Sequence, residues 1–193
     1  MRQLFLLLTP QSLLQLEADP THPESTRHET DIKPAEYESW LSLNSFIAQL
    51  LGAGVVQWNN FAIWQIRIAL EDSTVLARPA PGPRSDMCIR VACEWLVQAG
   101  RVLLRMCLLS SSSAPLDDED KRSLSGRDLW KGKPPGYSLQ RWGFWQQRLE
   151  ELKGSVVGED AKTAVDEAVA AMSSAEADAG KAYGEALGLP ELE

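Results

Sequence analysis

The stretch GRDLWKGKPPGYSLQRWGFWQQRLEEL, residues 126–152, carries three of the seven tryptophans in the 193-residue chain: Trp130, Trp142 and Trp145. A large aromatic side chain buries roughly 150–250 Å² of surface in a folded protein. Two indole rings and Phe144 fall within four residues of one another, so the rest of the chain has to provide a large apolar surface to receive them. We therefore expect the fold to be organised around this stretch.

Its second half predicts a helix that begins after Ser138, because the preceding KPPGY cannot be helical and a serine hydroxyl can cap the first turn. The next apolar residues recur at spacings of three and four and predict one buried helix face: Leu139, Trp142, Trp145, Leu149 and Leu152. Arg141 lies one turn before Trp145, close enough for a cation–π contact. The Gly- and Pro-rich residues 131–137 predict a turn that brings Trp130 back against this helix.

Three blocks of sequence carry a family resemblance. LWKG at residues 129–132, Tyr137-Ser138 and RWGFW at residues 141–145 together resemble the signature of a fungal family known only as domain-of-unknown-function family 3632. WNNFAIWQIRIALED at residues 58–72 and CEWLVQAG at residues 93–100 are similar to its other two blocks. The resemblance spans roughly residues 40–172 and implies an all-helical, intracellular domain. It implies no activity and no functional residues, and the short leucine-rich start departs from the family's pattern.

Composition excludes several classes of partner. The net charge of −8 argues against nucleic acid, whose phosphates require clustered Lys and Arg. No run of eighteen apolar residues occurs, so we expect no membrane span, and the short LFLLL start is a poor secretion signal. The three cysteines are an odd count and lie on one predicted helix, which makes a poor disulfide framework. We therefore predict buried thiols in the cytoplasm or nucleus, no metal site and no cofactor.

The periodicity along the chain predicts an all-α fold, a single irregular bundle of roughly five to seven helices. We expect a poorly ordered segment with one short helix over residues 1–33, the bundle over residues 34–180 and a frayed tail over residues 181–193. Residues 87–109, capped by Asp86, have only a narrow polar stripe and are the best candidate for the central helix. Residues 110–113 and the acidic LDDEDK at residues 116–121 indicate a surface loop.

The missing catalytic motifs and the excess of large aromatic residues favour a non-catalytic protein-interaction or scaffold module. This hypothesis predicts an exposed apolar patch and no deep cavity.

The alternative is an enzyme or carrier for a hydrophobic small molecule, of the cofactor-free cyclase or isomerase type. The candidate pocket residues are aromatic, and they are Trp95, Trp130, Trp142 and Trp145. The candidate polar contacts, of which the two carboxylates are also candidate acids or bases, are Arg67, Glu71, Glu94 and Arg141. This hypothesis requires these four polar side chains to converge on one pocket. The simpler interpretation of Arg67 and Glu71, four residues apart, is an ion pair within their own helix.

Overall fold

Helices make up the regular structure in the computed structural model, which describes residues 33–77, 82–110, 115–156 and 158–187. Within those ranges no strand occurs, and the predicted all-α bundle is confirmed. The helices are α1 (Pro34–Gly52), α2 (Asn59–Leu70), α3 (Thr74–Ala77), α4 (Pro83–Leu109), α5 (Asp118–Ser123), α6 (Leu139–Leu152) and α7 (Glu159–Leu187), with one 3-10 turn at Asp128–Trp130.

Helix α4 is the central element, as predicted. It contacts α1, α2, α6 and α7, and its side chains are buried over most of its length. The C-terminal end of α1 crosses α4 closely at Gly52. A Cβ atom on Gly52 would lie 2.1 Å from the carbonyl oxygen of Gln98. Only a residue without a side chain therefore permits this approach of the two backbones.

Two predictions about individual elements were wrong. Helix α4 begins at Pro83, a residue type suited to a first turn, so Asp86 lies inside the helix instead of capping it. The Asp86 Oδ2 atom accepts a hydrogen bond from the Gly158 amide (2.8 Å), which joins the start of α4 to the start of α7. The acidic stretch after Leu116 holds helix α5, because Asp117 accepts from the Asp120 amide at 2.7 Å. Helix α7 continues past Gly180 to Leu187.

Helix α6 begins as predicted, with the Ser138 hydroxyl oxygen accepting from the Arg141 amide at 3.1 Å. Trp142 is 2 % exposed, and Trp145 is fully buried. Leu139, predicted on the same buried face, is 53 % exposed. It lies in the first turn at one end of the bundle, where it borders a surface groove.

The predictions for residues 1–32 and for residues 188–193 lie outside the described residues, and the division of the chain at residues 33 and 180 stays a prediction. No described helix combines the length and the apolar character that a membrane span requires.

Candidate functional site

A buried ion pair connects the end of α2 with the first turn of α6. Arg141 Nε donates to Glu71 Oε1 at 2.6 Å, and Arg141 Nη2 donates to Glu71 Oε2 at 2.8 Å. Both side chains are 0 % exposed. This bidentate geometry matches the planar guanidinium to the carboxylate and is the stronger form of such a pair.

The remaining hydrogen-bonding capacity of the pair is directed to its surroundings. Glu71 Oε1 also accepts from Trp145 Nε1 at 2.7 Å, and Glu71 Oε2 accepts from the Arg127 amide at 3.3 Å. Arg141 Nη1 donates to the carbonyl oxygens of Leu124 (2.8 Å) and Gly136 (2.9 Å). Each carboxylate oxygen thus has two donors, and the loop before α6 is tied to the pair. The arrangement can organise the fold, but it leaves Glu71 no lone pair directed at a substrate.

Aromatic rings surround this network. The guanidinium carbon of Arg141 lies 5.5 Å from the centre of the Trp145 ring and 5.9 Å from that of Trp130, which confirms the expected cation–π contact. The Trp130 ring lies 5.0 Å from Phe144, so the turn does return Trp130 to the helix. Its Nε1 atom donates to the Pro134 carbonyl at 3.2 Å. Trp130 and Trp145 therefore fill the space around the ion pair.

Arg67 lies beside the network and does not bond to Glu71, so the predicted Arg67–Glu71 pair was wrong. Arg67 Nη1 donates to the carbonyl oxygens of Ser123 and Ser125, both at 2.8 Å. Burial, and then the positive charges of Arg127 and Arg141, lower the pKa of Arg67 to about 10, against a smaller opposing effect of Glu71. Arg67 lies one helical turn from Glu71 in the sequence, but the carboxylate of Glu71 pairs with Arg141, which is 70 positions away.

Glu94 and Trp95 lie elsewhere, at the contact between α4 and α1. Glu94 is half-buried, and its Oε2 atom accepts from Gln98 Nε2 at 3.4 Å. Trp95 is fully buried and donates from Nε1 to Asn44 Oδ1 at 3.0 Å. The four candidate polar side chains therefore do not converge on one pocket. Glu71 and Arg141 bond to each other, Arg67 bonds to loop carbonyls, and Glu94 lies on a different face.

Trp142 borders an open groove of about 720 Å³ where α4, α6 and α7 meet. We call it the α4–α6–α7 groove. Its lining is almost entirely apolar and comprises Leu104, Leu108, Leu139, Trp142, Gly143, Glu176, Ala179 and Gly180. Trp142 Nε1 donates to Glu176 Oε1 at 2.7 Å, which orients the carboxylate at the edge of the groove.

Sequence reasoning missed this groove, except for Trp142. The sequence offered little signal for it, because Leu108 and Leu139 lie near the ends of their helices and their exposure, 46 % and 53 %, is visible only in the fold. Periodicity alone assigned Leu139 to a buried face, and periodicity does not report where a neighbouring helix ends.

The cysteines offer no reactive site. All three are buried. Burial raises the pKa of the Cys107 thiol to about 12 and raises the pKa of Cys93 as well, so both stay protonated near neutral pH. Among the described residues no three His, Cys, Asp or Glu side chains form a group that could hold a metal ion.

Fold and site together define a class of protein, an all-α bundle domain that contains a fully buried polar network and has an apolar groove at its surface. Residues 11–149 match the family described as "Protein of unknown function (DUF3632)". This is more than half of the chain, and the chain belongs to that family. No curated protein and no solved structure matches it significantly.

Proposed function

We propose that this domain is a non-catalytic protein-interaction module whose docking surface is the α4–α6–α7 groove. The occupant we infer is an amphipathic helix of a partner protein, with leucine-type side chains on one face and a basic side chain beside them. Helix-in-groove binding of this kind relies on apolar anchors spaced along one helix face.

The observation that carries the proposal is the apolar lining of an open groove. Leu108 and Leu139 stand at its rim, and both are about half exposed. A contiguous apolar surface rimmed by polar residues marks a contact site in a soluble protein. Covering these leucines would remove apolar area from water, and this supplies the driving force for binding.

The negative charge of Glu176 indicates which kind of partner helix the groove would bind. Glu176 is the one carboxylate among the described residues of the lining, and Trp142 donates to only one of its two oxygens. Among the described residues Glu176 makes no other hydrogen bond or ion pair. A Lys or Arg of the partner can therefore pair with the second oxygen. The net charge of −8 attracts basic segments over longer distances.

The saturated ion pair supports a non-catalytic role. A general acid or base has to come within hydrogen-bond reach of the proton that it transfers. Glu71 is sealed from solvent and fully bonded, whereas Glu94 borders a different groove from Trp142. The residues that the small-molecule enzyme hypothesis requires are thus separated.

A hydrophobic small molecule is the second candidate occupant, because about 720 Å³ falls within the usual volume range of ligand pockets and an indole forms one wall. With a small molecule in the groove, the domain would be a carrier, and this function requires no catalytic group.

The test uses a variant that fills the groove. Gly143 lines the groove, and a Cβ atom on it would have no neighbour within 4 Å, so Gly143→Leu introduces a side chain at the groove. Gly154, outside the groove and equally open, supplies the matched control Gly154→Leu. The probe is a fluorescein-labelled, leucine-rich amphipathic peptide with one flanking lysine, and binding is measured by anisotropy.

We expect Gly143→Leu to weaken peptide binding at least tenfold and Gly154→Leu to leave it unchanged. Equal binding to the wild-type chain and to Gly143→Leu, or no binding to the wild-type chain, would contradict the proposal. An apolar dye such as ANS distinguishes the two occupants. Dye binding that Gly143→Leu abolishes, without peptide binding, would favour the small-molecule carrier.

A further inference from the structure

The segment KRSLSGR, residues 121–127, places serine hydroxyl groups among basic side chains, outside both the buried ion pair and the groove. Arg122 lies three positions before Ser125, and Lys121 lies four positions before it. Many Ser/Thr protein kinases recognise their substrates by charge patterns of this kind, with an arginine shortly before the serine that they modify. The segment therefore has the chemistry of a kinase substrate.

Ser125 is accessible in the folded chain. It lies in the connection between α5 and the 3-10 turn, and both Ser125 and Arg122 are exposed. The Ser125 hydroxyl donates to the Arg122 carbonyl oxygen at 2.8 Å, a local bond at the protein surface. Helix α5, which carries Arg122, has six residues and buries none of them. Opening this helix to fit a kinase cleft costs little, because few buried contacts are lost.

Arg67 of α2 brings a positive charge to the same place. Its Nη1 atom donates to the Ser125 carbonyl oxygen at 2.8 Å, so the guanidinium group contacts the residue that carries the hydroxyl. Nη1 also donates to the Ser123 carbonyl oxygen. In the described part of the chain Arg67 forms no ion pair with a carboxylate, because the nearby Glu71 pairs with Arg141. The charge of Arg67 is therefore available to an anion.

Arg127 adds a second guanidinium group, two positions after Ser125. Its side chain is 27 % exposed, and its Nε atom lies 3.8 Å from Asp72 Oδ2, which is too long for a hydrogen bond. After burial, the positive charge of Arg127 is the next cause of the lowered pKa of Arg67. The two guanidinium groups are thus close enough to repel each other.

The carboxylates near these arginines already accept from other groups. Asp72 Oδ1 accepts from the Thr74 amide at 2.9 Å, and Asp128 Oδ1 accepts from the Ser73 amide at 3.0 Å. A doubly charged group on Ser125 would therefore meet positive charge that these carboxylates compensate only in part.

We propose that Ser125 is the phosphorylation site of a Ser/Thr protein kinase that recognises Arg122, and that the phosphate then binds the guanidinium groups of Arg67 and Arg127. The Ser125 Oγ atom attacks the γ-phosphorus of ATP. An Oγ–P bond forms, the bond from the γ-phosphorus to the leaving oxygen of ADP breaks, and the hydroxyl proton passes to the catalytic carboxylate of the kinase. This modification is independent of the docking groove.

The phosphate adds what the site lacks. It carries a charge of about −1.5 to −2 near neutral pH and three strong acceptor oxygens. Charge-assisted hydrogen bonds from Arg67 and Arg127 are stronger than the bonds to neutral carbonyl oxygens that now hold the connection to α2. Phosphorylation therefore ties the connection after α5 more tightly to α2.

The first experiment measures phosphate incorporation into the folded full-length chain. The probe is ATP with a calmodulin-dependent protein kinase of Arg-x-x-Ser specificity, and mass spectrometry locates the modified residue. Ser125→Ala should remove the incorporation, and Arg122→Gln should slow it at least tenfold. Ser173→Ala is the matched control, because Ser173 is exposed on α7 and follows four uncharged residues; it should leave the rate unchanged.

Two outcomes of this experiment would overturn the inference. One is incorporation at a residue other than Ser125. The other is incorporation into a peptide of residues 115–130 but not into the full-length chain, which would show that the fold keeps the hydroxyl from the kinase.

The second experiment measures the second pKa of the phosphate in the phosphorylated chain by phosphorus NMR. Neighbouring positive charges favour the dianion, so we expect this pKa to fall from about 6 to about 5. Arg127→Gln keeps the backbone amide that donates to Glu71 and should return the pKa towards 6. Arg101→Gln, which removes an exposed arginine of α4, should not. A pKa near 6 in the unsubstituted folded chain, or equal values for the two variants, would refute binding of the phosphate by these arginines.

Discussion

Glu71 and Arg141 lie 70 positions apart in sequence and share one sealed site in the fold. Removing two charges from water is costly, and their attraction offsets this only when the geometry is good and the other polar atoms are bonded. Here two amide or indole N–H groups and two carbonyl oxygens complete the network. The pair therefore fixes how α2, the loop before α6 and α6 itself meet.

Glu71→Gln tests this role. The change leaves the buried Arg141 guanidinium without its counter-charge, and we expect a loss of about 3–5 kcal/mol in the free energy of unfolding. Glu38→Gln is the control, because Glu38 pairs with Arg90 at 2.8 Å while remaining 58 % exposed, and such a pair contributes less than about 1 kcal/mol. Urea denaturation measures both variants. A loss below about 1 kcal/mol for Glu71→Gln would show that water or a rearranged partner reaches Arg141.

Trp142→Ala tests whether the groove wall is also structural. The ring is almost fully buried, and it packs so close to α4 that a Cβ atom added to Gly100 would lie 3.8 Å from it. Its removal should therefore lower the free energy of unfolding by about 3–5 kcal/mol. Leu139→Ala, on the same helix but half exposed, should change this free energy by about 1 kcal/mol or less. Thermal and urea denaturation provide the comparison. Similar losses for the two variants would contradict the assigned burial of Trp142.

At the scale of elements, sequence reasoning succeeded where local signals decide the structure. Ser138 after a Pro-Gly turn marked the start of α6, and the spacing of Trp142 and Trp145 marked its buried face. It failed where one side chain stabilises a helix in a segment whose composition is typical of a loop. Asp117 caps α5 within a run of acidic residues that resembles a loop. The close crossing of α1 and α4 at Gly52 was not predicted either, because spacing along one helix does not reveal which turn meets a neighbour.

Gly52→Ala tests that crossing. The added Cβ atom would meet the Gln98 carbonyl oxygen at 2.1 Å, and backbone atoms cannot move aside as a flexible side chain can. We expect a loss of about 1–3 kcal/mol in the free energy of unfolding, typical of overpacking. Gly143→Ala is the matched control. It lies in a helix and meets no neighbour, so it should be neutral or stabilise by up to about 1 kcal/mol. A neutral Gly52→Ala would show that α1 can shift away from α4.

At the scale of the whole molecule, the sequence predicted the helices and not their partners. The amphipathic patterns placed α4 at the centre because its polar stripe is narrow, and this was confirmed. The Glu71–Arg141 pair and the groove depend on which helix ends lie side by side, and no spacing within one helix encodes that. The candidate residues Trp130, Arg141 and Trp145 were therefore brought together as predicted, but around an ion pair and not around a cavity.

Because the thiols are buried, we expect the free energy of unfolding of the bundle to fall at alkaline pH. The pKa of Cys107 is raised by burial from 9.0 to about 12, and the pKa of Cys93 is raised in the same direction. The folded state thus retains protons that the unfolded state loses above pH 9. The stabilising contribution is fully present below pH 9 and is lost as the pH rises towards 12, at about 1.4 kcal/mol per thiol and pH unit.

Urea denaturation at pH 8 and at pH 9.5 should therefore show a lower free energy of unfolding at the higher pH, and Cys107→Ala should reduce the difference. The lowered pKa of Arg67, about 10, acts with the opposite sign only above that value, because the folded state then releases a proton that the unfolded state keeps up to about 12.5. Measuring below pH 10 separates the two effects. Native protein should also fail to react with a thiol reagent at pH 8 and react at all three cysteines in denaturant. Rapid reaction of the folded chain, or equal stability at both pH values, would mean that the bundle opens around α4 far more readily than its packing indicates.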